Sequence, residues 1–370
     1  MTKTTKANSA SRRQFLGAAA LAAPAALAAP AIATAQGQTT TWRVQTTWAG
    51  GVGLDAFMEW TASIVEKSGG ELAFEGYKSG DLVGDFEVYE GLKEGRIEAA
   101  NPFTIYATRM TPAGAFLSSY PMAMRAPHEF DVFYYGLGGL EIAREIYSRH
   151  GLFFVGPIHH GPNIIHSKKP LRYFNDFKGI TMRTPGGMVA DFFQALGAKT
   201  VTLPGSEIFG AFERGEIDVA DFVGPSANYA YGFSKVTNYI AMGPAGYMSV
   251  YQPVDLMDLT VAMPAWQALS PEMKHLVEVE VQAYSDIHHA RIQAADQEAW
   301  ALFEADGTKI ARITPDDVRL MTKLAIPIWF DYALRDADAT RVFQIQLDYM
   351  TSGSLGYVEE DVKDFFEAQL

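Results

Sequence analysis

Two segments of the chain, EVYEGLKEGRIEAA at residues 87–100 and EIFGAFERGEIDVA at residues 207–220, share one pattern 120 positions apart. Each has apolar residues at helical spacing, then a glycine where a helix would end, then a short β-like run. Helix, glycine and strand in that order are common, so coincidence is one explanation. The match in phase and the shared Gly-x-Ile-acid order favour two related structural units instead.

The flanking sequence repeats the pattern in both halves of the chain. Each half reads β-α-β-α-β, which is typical of parallel sheets joined by crossover helices. We therefore predict an α/β fold of two lobes, each a mainly parallel sheet flanked by helices, with a cleft between them. The flanking elements are predicted strands at 42–46, 72–77, 179–183 and 199–203 and predicted helices at 53–67 and 187–196.

Helices dominate the last third of the chain. Ser270-Pro271-Glu272 is a typical helix start, and helical character then continues to Asp306-Gly307. A helix of this length would brace both lobes along one side. The predicted organisation is lobe I at 36–160 with part of about 245–270 returning to it, lobe II at 161–244, the long helix at 270–306, and a helical C-terminal region at 307–370.

The first 35 residues are predicted to be a Tat-type signal peptide for export to the periplasm. SRRQFL at 11–16 contains a twin arginine, an apolar run covers about 18–33, and Ala33-Thr34-Ala35 is a small-residue cleavage site. A membrane anchor is the alternative, but the run is short for a span and two prolines interrupt it. Gly17 stands where a twin-arginine signal usually has lysine. This departure counts against the Tat route more than against export itself.

Composition narrows the functional classes. The chain has no cysteine, which excludes disulfides, thiolate metal sites and iron–sulfur clusters. Without residues 1–35 the chain has 26 basic and 43 acidic residues, a net charge near −17. This charge argues against a nucleic-acid partner, and an anionic ligand would need local positive groups.

One arginine has an unusual position in the stretch GITMRTPGG at residues 179–187. Arg183 ends a largely apolar predicted strand, where a buried cation is costly unless an anion meets it. Parallel sheets of this kind bind ligands beyond the carboxyl ends of their strands. Arg183 is therefore a candidate for binding an anionic ligand in the cleft, and pairing with Asp221 across that cleft is the alternative.

Five motifs appear in this order: SRRQFL, TTWAGG, EKSGGELAFEGYKSGDLVGDFEVYEGLKEGRIEAA, DFKGITMRTPGG and SEIFGAFERGEIDVADFVGP. Together they resemble the solute-binding proteins of tripartite ATP-independent periplasmic (TRAP) transporters, the DctP family. The resemblance covers about residues 41–310 and is closest to the branch that binds 2-oxo acids and 2-hydroxy acids, including lactate as a calcium complex. It implies a periplasmic receptor that binds a small organic acid between two lobes, docks on a permease of one small and one large membrane subunit, and catalyses nothing.

The resemblance also implies site residues. Arg183 matches the family arginine that forms a salt bridge with the ligand carboxylate. Asp221, the backbone carbonyl of Phe222 and Gln252 match positions that hold a metal, and oxygen ligands of this kind suit sodium or calcium. The branch has a glycine-rich segment with a ligand glutamine upstream, which is absent here; Asn163 lies in that region as a candidate amide. No cofactor is certain, the metal stays open, and a strand-end capping role is the alternative for Asp221.

Aromatic residues are candidates for the cleft wall, because clefts for small ligands are usually lined by such side chains. Trp48 and Phe222 follow predicted strands, and plain packing is the alternative for Trp48. Tyr106 follows the first of the two similar segments, and its hydroxyl is a candidate for reaching the ligand. His288 and His289 lie within the long helix, where we expect them at the surface.

Two other functions remain as alternatives. One is a Tat-exported periplasmic enzyme with a cysteine-free cofactor site, although no G-x-S-x-G, P-loop or H-E-x-x-H motif is present. The other is the receptor subunit of a different transporter or of a sensor. The sequence leaves open which carboxylate is bound and whether the helical C-terminal region supports a homodimer.

Overall fold

The computed structural model of the protein describes residues 39–352 and 356–370. The predicted signal peptide at 1–35 lies outside these ranges. The strands are β1 (Thr40–Thr46), β2 (Leu72–Tyr77), β3 (Ala99–Asn101), β4 (Leu152–Ser167), β5 (Thr181–Thr184), β6 (Lys199–Thr202), β7 (Val219–Phe222), β8 (Tyr239–Met242), β9 (Gln252–Ala262) and β10 (Lys309–Arg312).

The α-helices follow the predicted pattern of crossovers in the first part of the chain and a helical C-terminal region. Short 3₁₀-helices precede two of them, at Asp85–Glu87 and Gly205–Glu207. The helices are α1 (Gly51–Lys67), α2 (Val88–Lys93), α3 (Gly114–Leu117), α4 (Pro127–Asp131), α5 (Gly139–Ser148), α6 (Gly187–Ala195), α7 (Ile208–Glu213), α8 (Pro225–Ala230), α9 (Met263–Ala268), α10 (Pro271–Ala305), α11 (Pro315–Ala333), α12 (Ala337–Met350) and α13 (Glu360–Glu367).

The strands form a mixed sheet with the order β2-β1-β3-β9-β4-β7-β5-β6, and β8 pairs with both β4 and β10. At one end β1 is parallel to β2 and β3, and at the other β5 is parallel to β6 and β7. Between these parallel groups, β9 runs antiparallel to both β3 and β4. Strand β4 in turn runs antiparallel to β7. The predicted α/β class is confirmed, and the two central strands make the sheet mixed.

Strand β4 links the two halves of the sheet. Residues 152–163 pair with β9, and residues 164–167 pair with β7 and β8. The register with β9 shifts around Gly161, whose φ of +100° lies in the region that favours glycine. A Cβ at Gly161 would also lie 2.8 Å from the Gln293 side-chain nitrogen. The irregular middle of β4 therefore lies where the two parallel groups meet.

The two segments with the shared sequence pattern adopt the same local structure. Each is a 3₁₀ turn followed by a six-residue helix, α2 or α7, that ends at a glycine with positive φ, Gly95 or Gly215. In both, the glycine and the next residue donate backbone hydrogen bonds to helix carbonyls, as in a Schellman motif. The turn then leads into β3 or β7, so the pattern places these two strands at equivalent positions.

Helix α10 packs across both halves of the sheet. The Ser270 hydroxyl caps its first turn by accepting from the Met273 amide at 3.2 Å. Arg291 pairs with Glu59 of α1 at 2.6 Å, and Asp296 accepts from the Ser226 amide of α8 at 2.8 Å. The predicted long helix is confirmed as α10.

One expectation about α10 is wrong. His288 is fully buried rather than at the surface, because α10 lies directly against β4. Its Nδ1 lies 2.9 Å from the His159 carbonyl oxygen, so the ring joins the helix to the irregular part of β4. His289 is half-buried.

The C-terminal region begins with β10, which extends the sheet beside β8. Helices α11 and α12 then pack on each other, and α11 also packs on α6. No helix in the described ranges combines the length and the apolar character that crossing a membrane requires.

Candidate functional site

Arg183 lies at the carboxyl end of β5 and is 2% exposed. Its Nε donates to the Leu203 carbonyl at 2.9 Å, and its Nη1 donates to the Asp221 carbonyl at 2.7 Å. Its Nη2 donates no hydrogen bond within the described ranges. Backbone carbonyls thus orient the guanidinium, and Arg183 lines a cavity.

Asp221 lies beside Arg183 because β5 and β7 are parallel neighbours in register. Its Oδ1 is 3.6 Å from Arg183 Nη1 and is buried without a hydrogen-bond partner among the described residues. Its Oδ2 accepts from the Tyr251 hydroxyl at 2.9 Å. Burial raises the pKa of Asp221 to about 6, and the positive charge of Arg183 and the Tyr251 hydroxyl partly offset that rise.

The opposite wall comes from the two antiparallel strands. Asn163 of β4 faces Gln252 of β9 in the register. The Asn163 Nδ2 donates to Asp255 Oδ2 at 2.8 Å and to Gln252 Oε1 at 3.3 Å, and the Gln252 Nε2 donates to the Ser119 carbonyl at 2.8 Å. The Asn163 Oδ1 is buried and has no partner in the described part of the chain. This wall is therefore rich in oxygen acceptors.

Aromatic side chains close the cavity between these walls. The Phe222 ring lies 5.4 Å from the Arg183 guanidinium carbon, and the Phe103 ring packs edge-on against both Phe222 and Tyr106. Burial raises the pKa of Tyr106, so its hydroxyl stays neutral at ordinary pH. The cavity volume is about 20 Å³, slightly more than one water molecule needs. A space this small favours a small ligand.

The structure brings six of the seven candidate site residues to this one cavity. They are Tyr106, Asn163, Arg183, Asp221, Phe222 and Gln252.

Trp48 does not line the cavity. It packs behind Phe103, with ring centroids 5.2 Å apart, and is 1% exposed. Gly53 of α1 lies directly over the indole, since a Cβ there would be 2.5 Å from Trp48 Cε2. The packing interpretation of Trp48 therefore agrees with the structure, and the ligand-wall interpretation does not.

Five residues that line the cavity were not among the candidates, and Phe103 and Asp255 are two of them. Asp255 interrupts the apolar run Val254-Asp255-Leu256, which is the same kind of signal that singled out Arg183. Phe103 has no comparable signal, because a phenylalanine after a short strand is as typical of a core as of a binding site.

The residues present fit a hard metal ion. The Oδ1 atoms of Asp221 and Asn163 are buried acceptors without a donor among the described residues, and the Gln252 Oε1 accepts only a long bond. Carboxylate and amide oxygens are ligands that sodium and calcium use. The described ranges contain no cluster of three or more histidine, cysteine or acidic residues that could hold a metal, so this set depends on its amides.

Comparisons with known proteins agree with the fold. The model of the family described as bacterial extracellular solute-binding protein, family 7 (DctP), matches residues 47–336. The chain is 26% identical over 282 residues to the monocarboxylate 2-oxoacid-binding periplasmic protein of Nostoc sp. strain PCC 7120, covering 76% of each protein.

Solved structures share the fold. A TRAP periplasmic solute binding protein from Pseudoalteromonas atlantica, with bound sodium and pyruvate, has a TM-score of 0.75 and 21% identity over 89% of this chain and 97% of that one. A second such protein, from Colwellia psychrerythraea, with bound calcium and pyruvate, has a TM-score of 0.75 and 20% identity over 89% of this chain and 97% of that one.

Proposed function

The chain belongs to family 7 of the bacterial extracellular solute-binding proteins, and we propose that it is a TRAP receptor for a small 2-oxo or 2-hydroxy monocarboxylate. The observation that carries the proposal is the buried Arg183, which lines the cavity, is oriented by two carbonyls and donates no hydrogen bond from Nη2 within the described ranges. A planar guanidinium binds a carboxylate through parallel, charge-assisted hydrogen bonds. The name of the Nostoc relative and the pyruvate in the two solved structures support this ligand class.

The ligand carboxylate binds the free side of Arg183, and the rings of Phe103, Phe222 and Tyr106 exclude water around it. The acceptor-rich wall then faces the 2-position of the acid. Asp221, Asn163 and Gln252 would hold a sodium or calcium ion there, and such an ion would supply positive charge for the 2-oxo or 2-hydroxy oxygen.

Binding closes two lobes around the ligand in this proposal. Lobe I comprises 36–160 with part of about 245–270, and lobe II comprises 161–244. Strands β4 and β9 pass between them, and the irregular register around Gly161 supports a bend at that point. The closed receptor then docks on a permease of one small and one large membrane subunit, which moves the acid using an ion gradient. The receptor releases its ligand chemically unchanged, as expected for a receptor rather than an enzyme.

Export and assembly complete the proposal. The SRRQFL segment directs the chain to the periplasm through the Tat pathway, and replacing Arg12 and Arg13 by lysine should leave the protein in the cytoplasm. The helical C-terminal region supports a homodimer, which sedimentation of the purified protein tests.

A thermal-shift screen of small organic acids tests the receptor proposal. A ligand that binds only the folded state stabilises it, by about 2.7 kcal/mol at a concentration 100 times its Kd. We expect pyruvate, lactate or a close relative to raise the melting temperature, whereas amines and sugars leave it unchanged. Recovery of the bound acid unaltered, measured by NMR, separates a receptor from an enzyme. If no monocarboxylate shifts the melting temperature with sodium, calcium or chelator present, the ligand class is wrong.

A further inference from the structure

Two hydrogen bonds join the proposed lobes beside the cavity. The Ser206 hydroxyl donates to Asp85 Oδ2 at 3.2 Å, and the Ala49 amide donates to the Tyr231 hydroxyl at 2.7 Å. Asp85 and Ala49 belong to lobe I, whereas Ser206 and Tyr231 belong to lobe II. We infer that these two contacts, the interlobe latch, position the lobes over the cavity and slow the release of bound ligand. This inference rests on the proposed function and concerns how the same site retains its ligand.

The first contact joins the two 3₁₀-helices that precede α2 and α7, Asp85–Glu87 and Gly205–Glu207. Asp85 is 6% exposed, and the Ser79 hydroxyl, 2.8 Å from Oδ1, is its other hydrogen-bond donor among the described residues. A buried carboxylate is costly unless donors surround it. Burial raises the pKa of Asp85, and the Ser79 and Ser206 hydroxyls partly offset that rise. The lobe II hydroxyl therefore stabilises a lobe I carboxylate that has one donor on its own side.

The second contact joins the chain before α1 to the end of α8. Ala49 lies two residues before α1 begins, and Tyr231 directly follows α8. The two helix ends approach closely, since a Cβ at Gly51, the first residue of α1, would lie 3.2 Å from the Ala230 Cβ. The hydrogen bond between the Ala49 amide and the Tyr231 hydroxyl therefore requires that these two ends stay in contact.

Both contacts lie against aromatic side chains of the cavity. On the lobe II side the Tyr231 ring packs on Phe222 at 5.5 Å between centroids, and Gly205, next to the latch serine, also lies against Phe222. On the lobe I side Phe86, next to the latch aspartate, packs edge-on against Tyr106 at 4.8 Å. Phe222 and Tyr106 line the cavity from opposite lobes. Separation of the latch would therefore move apart the walls that enclose the ligand.

Removing a latch hydrogen bond should favour separated lobes and weaken ligand binding. Ser206→Ala leaves Asp85 without its lobe II donor, and Tyr231→Phe leaves the Ala49 amide without this acceptor. We expect each change to weaken pyruvate binding about threefold, the effect of one partly exposed hydrogen bond. The double variant should lose about tenfold, because the two contacts share no residue. Ser206→Thr retains the hydroxyl and should bind as the wild type does.

Two spin labels measure the separation of the lobes. The chain has no cysteine, so Lys93→Cys and Glu213→Cys introduce the two thiols that carry the labels. These exposed positions are equivalent in the two repeated segments, at the ends of α2 and α7. Pulsed electron paramagnetic resonance then gives the distance distribution between the labels, with and without pyruvate and calcium. The unlabelled proteins are titrated with pyruvate by calorimetry, and their melting temperatures show that they are folded.

Two controls remove a hydroxyl that does not join the lobes. Tyr229→Phe lies on the same helix as the latch tyrosine, but the Tyr229 ring packs on Phe303 of α10. Ser148→Ala removes a hydroxyl that donates to the Glu145 carbonyl within α5. Both controls should retain the wild-type distance distribution and pyruvate affinity.

We expect longer distances between the labels in Ser206→Ala, in Tyr231→Phe and most clearly in the double variant. A folded double variant with wild-type distances and wild-type pyruvate affinity overturns the inference, and so does an equal change in the two controls. If the wild type binds no pyruvate, the proposed ligand class is wrong. The ligand-free distances then decide on the latch, and wild-type distances in the double variant overturn it.

Discussion

The Arg183 Nη1 donates to the backbone carbonyl of Asp221 at 2.7 Å, whereas the nearer carboxylate oxygen of the same aspartate lies 3.6 Å away. The guanidinium is oriented by main-chain oxygens, and the Asp221 carboxylate is held by Tyr251 on its other side. An arginine oriented in this way needs little rearrangement when a ligand carboxylate arrives, which lowers the cost of binding.

The Tyr251 hydroxyl is important for stability, because it supplies a hydrogen bond to a buried carboxylate. Tyr251→Phe should lower the free energy of unfolding by about 1–3 kcal/mol, the cost of a buried acceptor that loses its donor. Chemical denaturation measures this. Tyr120→Phe is the matched control, since the Tyr120 hydroxyl is buried without a partner among the described residues, and it should cost far less. Equal losses in the two variants would contradict the assignment.

Gly205 allows the Phe222 ring to lie against the chain at the cavity wall. A Cβ at Gly205 would be 2.3 Å from Phe222 Cζ, so Gly205→Ala must displace the ring. We expect a stability loss of about 1–3 kcal/mol, typical of overpacking, and at least tenfold weaker pyruvate binding. Gly84→Ala is the control, because its Cβ would meet the Glu87 side chain at an ordinary 3.5 Å. Wild-type binding by Gly205→Ala would show that the ring position does not matter.

Asp258 should make stability depend on pH. Burial raises its pKa to about 7, although the Thr260 hydroxyl partly opposes this. Between the unfolded value near 4 and about 7, the folded state binds this proton more strongly, so stability falls as pH rises, by at most about 1.4 kcal/mol per unit. We compare the free energy of unfolding of Asp258→Asn with that of the wild type at each pH. The variant value minus the wild-type value should be larger at pH 8 than at pH 5. Urea unfolding at both pH values measures this difference, and Asp364→Asn, at an exposed position, is the control. A difference between Asp258→Asn and wild type that is the same at pH 5 and pH 8 would refute the prediction.

Closure of the two proposed lobes should change the overall dimensions of the protein. Small-angle scattering should show a smaller radius of gyration when pyruvate and calcium are added to the wild type. Arg183→Gln should show no such change, because the ligand loses its anchor. A wild type that binds pyruvate without any change in radius would contradict the closing motion.

Local sequence signals predicted the elements that carry the site. The Ser270-Pro271 start of α10 and the glycine that ends α2 and α7 are short-range rules, and the structure follows them. The proximity of Arg183 and Asp221 could be predicted from sequence because both lie near the carboxyl ends of parallel strands in the same β-α-β-α-β unit. Those signals need only neighbouring residues or a repeated pattern.

The remaining features depend on tertiary placement. Trp48 lies beneath Gly53 and behind Phe103, and His288 is covered because α10 lies on β4. Asp255 reaches the cavity only because β9 pairs with β4, about 90 positions earlier in the chain. Sequence periodicity carries no information on which distant strand a segment will pair with, so these positions could not be predicted.

Calorimetric titration of pyruvate, with calcium present, into wild type and Arg183→Gln tests the central claim most directly. Arg43→Gln is the matched control, an arginine on β1 that pairs with Glu98 and does not line the cavity. Removing one partner of a buried charge pair costs about 3–5 kcal/mol, so we expect Arg183→Gln to lose at least 100-fold in affinity while it remains folded by circular dichroism. Arg43→Gln should bind as the wild type does. If folded Arg183→Gln binds pyruvate as tightly as the wild type, Arg183 does not anchor the ligand and the account is wrong.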